Sequence, residues 1–310
     1  MEIRHLQYVM ELARHRSFTK AAEALHITQP TLSKMIKNLE EELGVELFAR
    51  IGKRVELTEA GKVIWNQGQD ILHSFNNLTT ELSDLTNLSK GTIRIGLPPM
   101  VGSSFFPGVM SRFRERYPGL TIQLVEEGSK KLEKAVAEGE LDMAVVLLPT
   151  NEDVFETYSI VQEELRVIVP VNHPLAERRQ VALKELAAEP FILFREDFAL
   201  HDILIAECNR AGFQPEVLYQ SSQWDFIREM AAAGLGLALL PETICRSLDL
   251  ARARPLRLID PVIPWHLAMI WRKNSYLSIA AREWIRFTQS LFPEKDKGKQ
   301  SQEREQPGRI

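Results

Sequence analysis

Two short runs of helical periodicity, one with Phe18, Ala21, Ala22 and Leu25 on its apolar face and the next with Leu32, Ile36, Leu39 and Leu43, are separated only by His26, Ile27, Thr28 and Gln29. So short a connection forces the helices to cross steeply instead of lying antiparallel, which is helix-turn-helix geometry. A preceding segment with Leu6, Val9, Met10 and Ala13 on one face adds a third helix. Thr28 can cap the last helix by accepting backbone N–H bonds, and Pro30 fits its first turn, where a missing amide donor does no harm. Because Leu32, Ile36 and Leu39 take the apolar face, Gln29, Ser33 and Lys37 form a row at four-residue spacing, flanked by Thr31 and Lys34. Glutamine and serine can hydrogen-bond base edges while lysine neutralises phosphate, so the row suits a major-groove reading helix. Taken alone, such a row also fits an ordinary solvated face.

After Gly44, the run VELFARIGKRVELT holds two strand-like pieces around Ile51, Gly52 and Lys53, read as a hairpin with Arg50, Lys53 and Arg54 near its tip. A basic hairpin beside a reading helix is a wing. The stretch SFTKAAEALHITQPTLSKMIKNLEEELGVELFAR, followed by LTEAG, resembles the N-terminal signature of LysR-type transcriptional regulators. The match lies in Ala21 and Ala22, the turn Thr28-Gln29-Pro30, Ser33, the Leu39-Glu40 pair, Gly44, Leu47-Phe48 and Arg50. The resemblance implies that the helix from Gln29 enters the major groove while the wing contacts backbone in the neighbouring minor groove. Carried over by position, it makes Gln29, Pro30, Thr31, Ser33, Lys34 and Lys37 DNA-binding residues of a helix-turn-helix spanning about Phe18 to Lys37, with Arg50, Lys53 and Arg54 on the wing. The family often has arginine near 34 or 53; lysine at both keeps phosphate attraction but weakens a bidentate guanine contact.

Thr58 can cap a further helix, along which Ile64, Gly68, Ile71, Phe75, Leu78, Leu82 and Leu85 recur at alternating spacings of four and three. The opposite face is polar, from Asn66 and Gln67 to Glu81 and Asp84, so the seam predicts a partner helix and a dimer. Two reading helices would then address the half-sites of an inverted repeat. LysR-type proteins use their linker helix in this way. The expected division is 1–58 for a winged helix-turn-helix, 59–90 for the linker helix and 91–291 for an effector domain, the boundary falling near Ser89, Lys90 and Gly91.

From TIRIGL onward, apolar runs alternate with amphipathic stretches, predicting an α/β domain with largely parallel sheets. LTIQLVEEGSKKLEKAVAEGELDMAVVLLP and PEVLYQSSQWDFIREMAAAGLGLALLP echo each other as strand, polar turn, helix, glycine and apolar strand. Two such units suggest two lobes, lobe I at about 91–161 and 266–291 and lobe II at about 162–265, with a ligand cleft between them. This matches the periplasmic-binding-protein-like effector domain of the LysR family. By position in that pattern, Pro99, Met100, Ser103, Ser104, Ser129, Arg195, Phe198 and His201 line the pocket. The three serines stand where helix N-terminal amides favour an anion, or serve only as helix caps. Arg195 and His201 are the charged candidates for an acidic effector, or surface residues. The tail 292–310 is polar and expected to be disordered.

Net charge is −4 with a pI near 6.0, so any DNA contact must come from a local surface. No apolar run is long enough for a membrane span, and the first residues are not a signal peptide, so the expected location is the cytoplasm. Cys208 and Cys245 sit among apolar neighbours without a CxxC spacing and read as structural thiols, a redox pair being the alternative. The histidines form no cluster, and no cofactor or metal is expected. No G-x-S-x-G, G-x-G-x-x-G after a strand or P-loop occurs, so an enzyme is not expected. A solute-binding transport protein would fit the two-lobed domain alone, and a second domain serving only assembly also remains open. The expected partners are double-stranded DNA with an inverted-repeat operator and further copies of the chain, a tetramer being implied by the resemblance, with RNA polymerase a candidate as well.

Overall fold

The computed structural model describes residues 1–51, 54–86 and 91–293, and within it the side chains of 50, 51, 54, 70, 73, 76, 77 and 79–86 are left aside. Lys53, the side chains of Arg50, Arg54, Leu82 and Leu85, the junction at Ser89 and Lys90, and the tail from residue 294 lie outside the described residues. The chain forms two compact units, Met1–Leu88 and Ser89–Ile310.

In the first unit, helices α1 (Ile3–His15), α2 (Phe18–Ala24) and α3 (Gln29–Leu43) precede a hairpin of β1 (Phe48–Ile51) and β2 (Arg54–Leu57), and α4 (Glu59–Thr86) follows. Val9, Leu12, Ala21, Ala22, Leu32, Ile36, Leu39, Leu47 and Val55 make one buried core, so the apolar faces of all three short helices meet the hairpin. Ser17 caps α2 through the Lys20 amide, and Thr28 caps α3 through the Thr31 amide at 3.4 Å, with Pro30 in the first turn. Between them His26 adopts a left-handed backbone, φ 54°.

Glu40 ties α3 to the hairpin. Its Oε1 accepts from the Leu47 amide at 2.8 Å and the Phe48 amide at 3.1 Å. The start of α4 is fixed just as closely. The Thr58 hydroxyl accepts from the Gly61 amide and donates to the Glu46 carbonyl, while a Cβ at Gly61 would lie 2.1 Å from the Leu47 carbonyl oxygen.

The heptad seam of α4 divides. Ile64 packs on the core, and Gly68 faces α1, where an added Cβ would come within 2.6 Å of the Met10 methyl. Those two positions serve the unit itself. Farther along, Ile71, Phe75 and Leu78 stand 42%, 45% and 54% exposed.

The second unit contains β3 (Gly91–Leu97), α5 (Pro99–Arg116), β4 (Leu120–Glu126), α6 (Ser129–Ala137), β5 (Met143–Leu147), β6 (Phe155–Pro170), β7 (Gln180–Ala182), β8 (Pro190–Phe194), α7 (Ala199–Arg210), β9 (Glu216–Ser221), α8 (Trp224–Ala232), β10 (Ala238–Pro241), α9 (Glu242–Cys245), β11 (Ala253–Ile259), β12 (Pro264–Arg272) and α10 (Ile279–Leu291). The long strand β6 spans both halves. Its first part pairs with β12, and its last part with β10 and β11. The echo in the sequence appears as β4-α6-β5 and β9-α8-β10. The sheets are mixed, correcting the expectation of largely parallel pairing: β3 is parallel to β4 and β5, β7 to β11 and β8 to β9, whereas β6 is antiparallel to β10, β11 and β12, and β12 to β5. The reason is connectivity, because β6 leaves the first half and β12 returns to it, entering the sheet in opposite directions.

Candidate functional site

The exposed face of α3 follows from its burial. Leu32, Ile36 and Leu39 are fully enclosed, so Gln29, Pro30, Thr31, Lys34 and Lys37 are exposed and Ser33 is half-buried beside them. Two of these side chains already have partners. The Thr31 hydroxyl lies 2.8 Å from that of Thr28, and the Lys37 ammonium 3.4 Å from Glu41, an exposed pair of little energetic weight. Gln29, Ser33 and Lys34 form no hydrogen bond or ion pair through their side chains among the described residues, which leaves their polar groups available to a ligand. Arg50 and Arg54 occupy the hairpin strands, paired in register with Val55 and Ile51.

A cleft opens in the second unit, about 410 Å³ of empty space counted together with the solvent at its mouth. Of the residues expected from the sequence, Met100, Ser129 and Phe198 line it. Pro98, Val101, Phe194, Ala199 and Leu200 join them from the expected segments. Leu147, Ser222, Trp265 and Leu267 were not singled out by sequence reasoning. Ser222 could have been found through the echo, since it sits in the polar turn corresponding to that of Ser129. Trp265 and Leu267 could have been found by alternation along the WHLAMIW strand.

Pro99, Ser103, Ser104, Arg195 and His201 do not line the cavity. Helix α5 begins at Pro99, one residue beyond β3 and the single residue Pro98, so Ser103 and Ser104 fall within the helix instead of at its amide-bearing end. The Ser103 hydroxyl donates to the Met100 carbonyl at 3.2 Å. Arg195 pairs with both carboxylate oxygens of Asp197, at 3.1 and 2.8 Å, and His201 Nδ1 lies 3.1 Å from Asp202. The Arg195 guanidinium holds the Asp197 carboxyl below the ordinary carboxylate range, and the Lys130 ammonium, then His201, does the same for Asp202.

These charges belong to a seam between the start of α6 and the loop from β8 to α7. Lys130 Nζ donates to Asp202 at 2.5 Å and to the Glu196 carbonyl at 2.8 Å, while Lys131 pairs with Glu127 at 2.9 Å and Asp197 at 3.5 Å. The backbones meet at Gly128, where a Cβ would lie 2.5 Å from the Asp197 carbonyl oxygen. At Ser129, the first residue of α6, the buried hydroxyl accepts from the Leu147 amide at 3.1 Å and faces the cavity. Among the described residues, no helix is long and apolar enough to cross a membrane, and no group of three His, Cys, Asp or Glu could hold a metal ion.

Residues 3–62 match the family model of the bacterial regulatory helix-turn-helix proteins of the lysR family, and residues 86–293 match the LysR substrate binding domain. The HTH-type transcriptional regulator YwbI of Bacillus subtilis (strain 168) is 56% identical over 96% of this chain and 99% of its own length. A hydrogen peroxide-inducible genes activator of Pectobacterium carotovorum subsp. carotovorum is 32% identical over 78% of this chain and 80% of its own. Among solved structures, a full-length variant of OxyR from Pseudomonas aeruginosa is similar with a TM-score of 0.65 and 26% identity, covering 94% of both chains. These matches, together with the helix-turn-helix and the α/β substrate-binding unit, show that the chain belongs to the LysR family of DNA-binding transcriptional regulators.

Proposed function

We propose that the protein reads an inverted-repeat operator in double-stranded DNA through paired α3 faces, and that a small molecule held in the cavity of the second unit adjusts that reading. The observation that carries the DNA half is the exposed row Gln29, Lys34 and Lys37, with Ser33 beside it, over a fully buried Leu32, Ile36 and Leu39. The wing residues Arg50, Lys53 and Arg54 would add phosphate contacts. Exposed Ile71, Phe75 and Leu78 support a dimer through α4. Strands β4 and β9 each leave one edge unpaired among the described residues and carry exposed Leu124, Val125, Leu218 and Tyr219, which supports a second contact between copies and hence a homotetramer. Contact with RNA polymerase and a cytoplasmic location accompany a regulator of this kind.

The effector would sit between the two halves joined by β6 and β12, and closure along the Lys130–Asp202 seam would change how copies pair. The anionic effector expected from the sequence would have to rely on the Ser129 hydroxyl and the first amides of α6 alone, because the neighbouring cations are paired to carboxylates. A second reading comes from the relatives named as hydrogen peroxide-inducible activators. The thiols argue against it here, because burial pushes Cys208 up to about 11 and Cys245 up to about 12, which keeps both protonated. The test is a footprint of the purified chain on the DNA upstream of its own gene. Protection of an inverted repeat that shifts or shortens with one small molecule is the expected result; no protection at low salt would overturn the reading.

A further inference from the structure

The cavity lining is dominated by apolar groups. Met100, Leu147, Phe194, Phe198, Trp265 and Leu267 supply a thioether, two aliphatic chains and three aromatic rings. Phe194 and Phe198 are tilted against each other with centroids 5.3 Å apart, and Trp265 meets Phe105 behind it at 6.2 Å, so the aromatic walls are braced from outside. The only hydroxyls in the lining, among the described residues, are those of Ser129 and Ser222. Ser129 Oγ already accepts from the Leu147 amide, which leaves its O–H free to donate one hydrogen bond and one lone pair to accept another.

Among the described residues, no lysine, arginine or histidine lines the cavity. Several basic side chains next to the lining in sequence pair with carboxylates, Arg195 with Asp197, Lys130 with Asp202, Lys131 with Glu127 and His201 with Asp202, and His266, between Trp265 and Leu267, does not line the cavity. A carboxylate entering this space would lose its hydration and meet only the Ser129 hydroxyl and the first amides of α6, with no cationic side chain in the lining, whereas a neutral oxygen needs only the hydrogen bond that Ser129 can give.

Resting on the sensor reading above, we infer that the effector is an uncharged, one-ring aromatic molecule bearing a single hydroxyl or carbonyl oxygen for Ser129, and not a carboxylate. The aromatic and aliphatic lining suits an apolar ring with one polar contact. Ring faces meet Phe194, Phe198 and Trp265, and the oxygen lies at the start of α6.

Calorimetric titration of the full chain with matched pairs, benzyl alcohol against benzoate and 2-phenylethanol against phenylacetate, tests this directly. The neutral member of each pair is expected to bind about tenfold more tightly or better, and Ala199→Trp, which fills the cavity from the first residue of α7, is expected to abolish that binding. Ala199→Met serves as the milder filler if the tryptophan variant does not fold. Tighter binding of the carboxylates, lost in the filled variant, overturns the inference and leaves the sensor reading standing. Absence of binding by all four probes, or binding that survives the filled cavity, also overturns it. The sensor reading fails separately if a folded Ala199 variant leaves expression from the promoter beside its own operator unchanged under every growth condition in which the wild type responds.

Discussion

Glu40 lies on α3 yet faces inward to bond the Leu47 and Phe48 amides, so one carboxylate sets where the hairpin starts relative to that helix. Glu40→Ala leaves two partly buried donors unpaired and is expected to destabilise the first unit by about 1–3 kcal/mol, whereas Glu40→Gln retains an acceptor and recovers most of the loss. Amide hydrogen exchange across residues 45–57 reads this out, and unaltered protection in the alanine variant would remove Glu40 from this role. Gly128→Ala drives a Cβ into the Asp197 carbonyl, a backbone atom that cannot swing aside, and should lower the stability of the second unit by about 1–3 kcal/mol. A thermal midpoint equal to the wild type would mean that α6 and the loop before α7 do not approach so closely. For the thiols, values near 11 and 12 leave less than about one thiolate per thousand at pH 7.5. Native protein is therefore expected to resist iodoacetamide and to keep its footprint in peroxide, while urea-unfolded protein alkylates at both cysteines. The residue types at Glu40 and Gly128 are visible in the sequence, but their partners, Leu47 and the distant Asp197, are not.

At the scale of elements, α1, α2, α3 and α10 follow from apolar spacing and caps, because each is an amphipathic helix with one face to bury. On α3, Ser33→Ala is expected to narrow the gap between operator and random DNA by about 1–3 kcal/mol, while Lys34→Ala should weaken both alike and reduce the salt slope by about one. Titrations of both DNAs at several salt concentrations separate the two behaviours; an equal loss on both DNAs for Ser33→Ala would place that hydroxyl on phosphate. The α4 seam was legible as a heptad repeat but not its division, since periodicity cannot distinguish an apolar side chain that meets α1 from one left exposed. Phe75→Glu puts a charge at an exposed seam position, and light scattering is expected to show the species shifted to half its mass or less with the fold intact. Unchanged mass would take the seam out of self-association.

The whole molecule combines a DNA-reading unit with an α/β unit built from two echoing halves. Local pattern reaches far here: the signature from Ser17 to Gly61 and the echo are both matters of short-range spacing. The cavity is not. Its walls come from α5, α6, β5, β8, α7, β12 and the loops between them, spread from Pro98 to Leu267, and alternation along each strand fixes which side chains alternate but not which face turns inward.

The sequence by itself determined the helix-turn-helix, the wing and the two-lobed order of elements, because caps, turns and apolar periods act over a few residues and need no distant partner. Only the tertiary structure decided the mixed pairing around β6, the placing of Ser103 and Ser104 inside α5, and the pairing of Arg195 and His201 with carboxylates beside the cavity instead of within it. Each of those depends on which distant groups come within a few ångströms, and a charge's availability to a ligand is settled by that proximity and not by its presence in the chain.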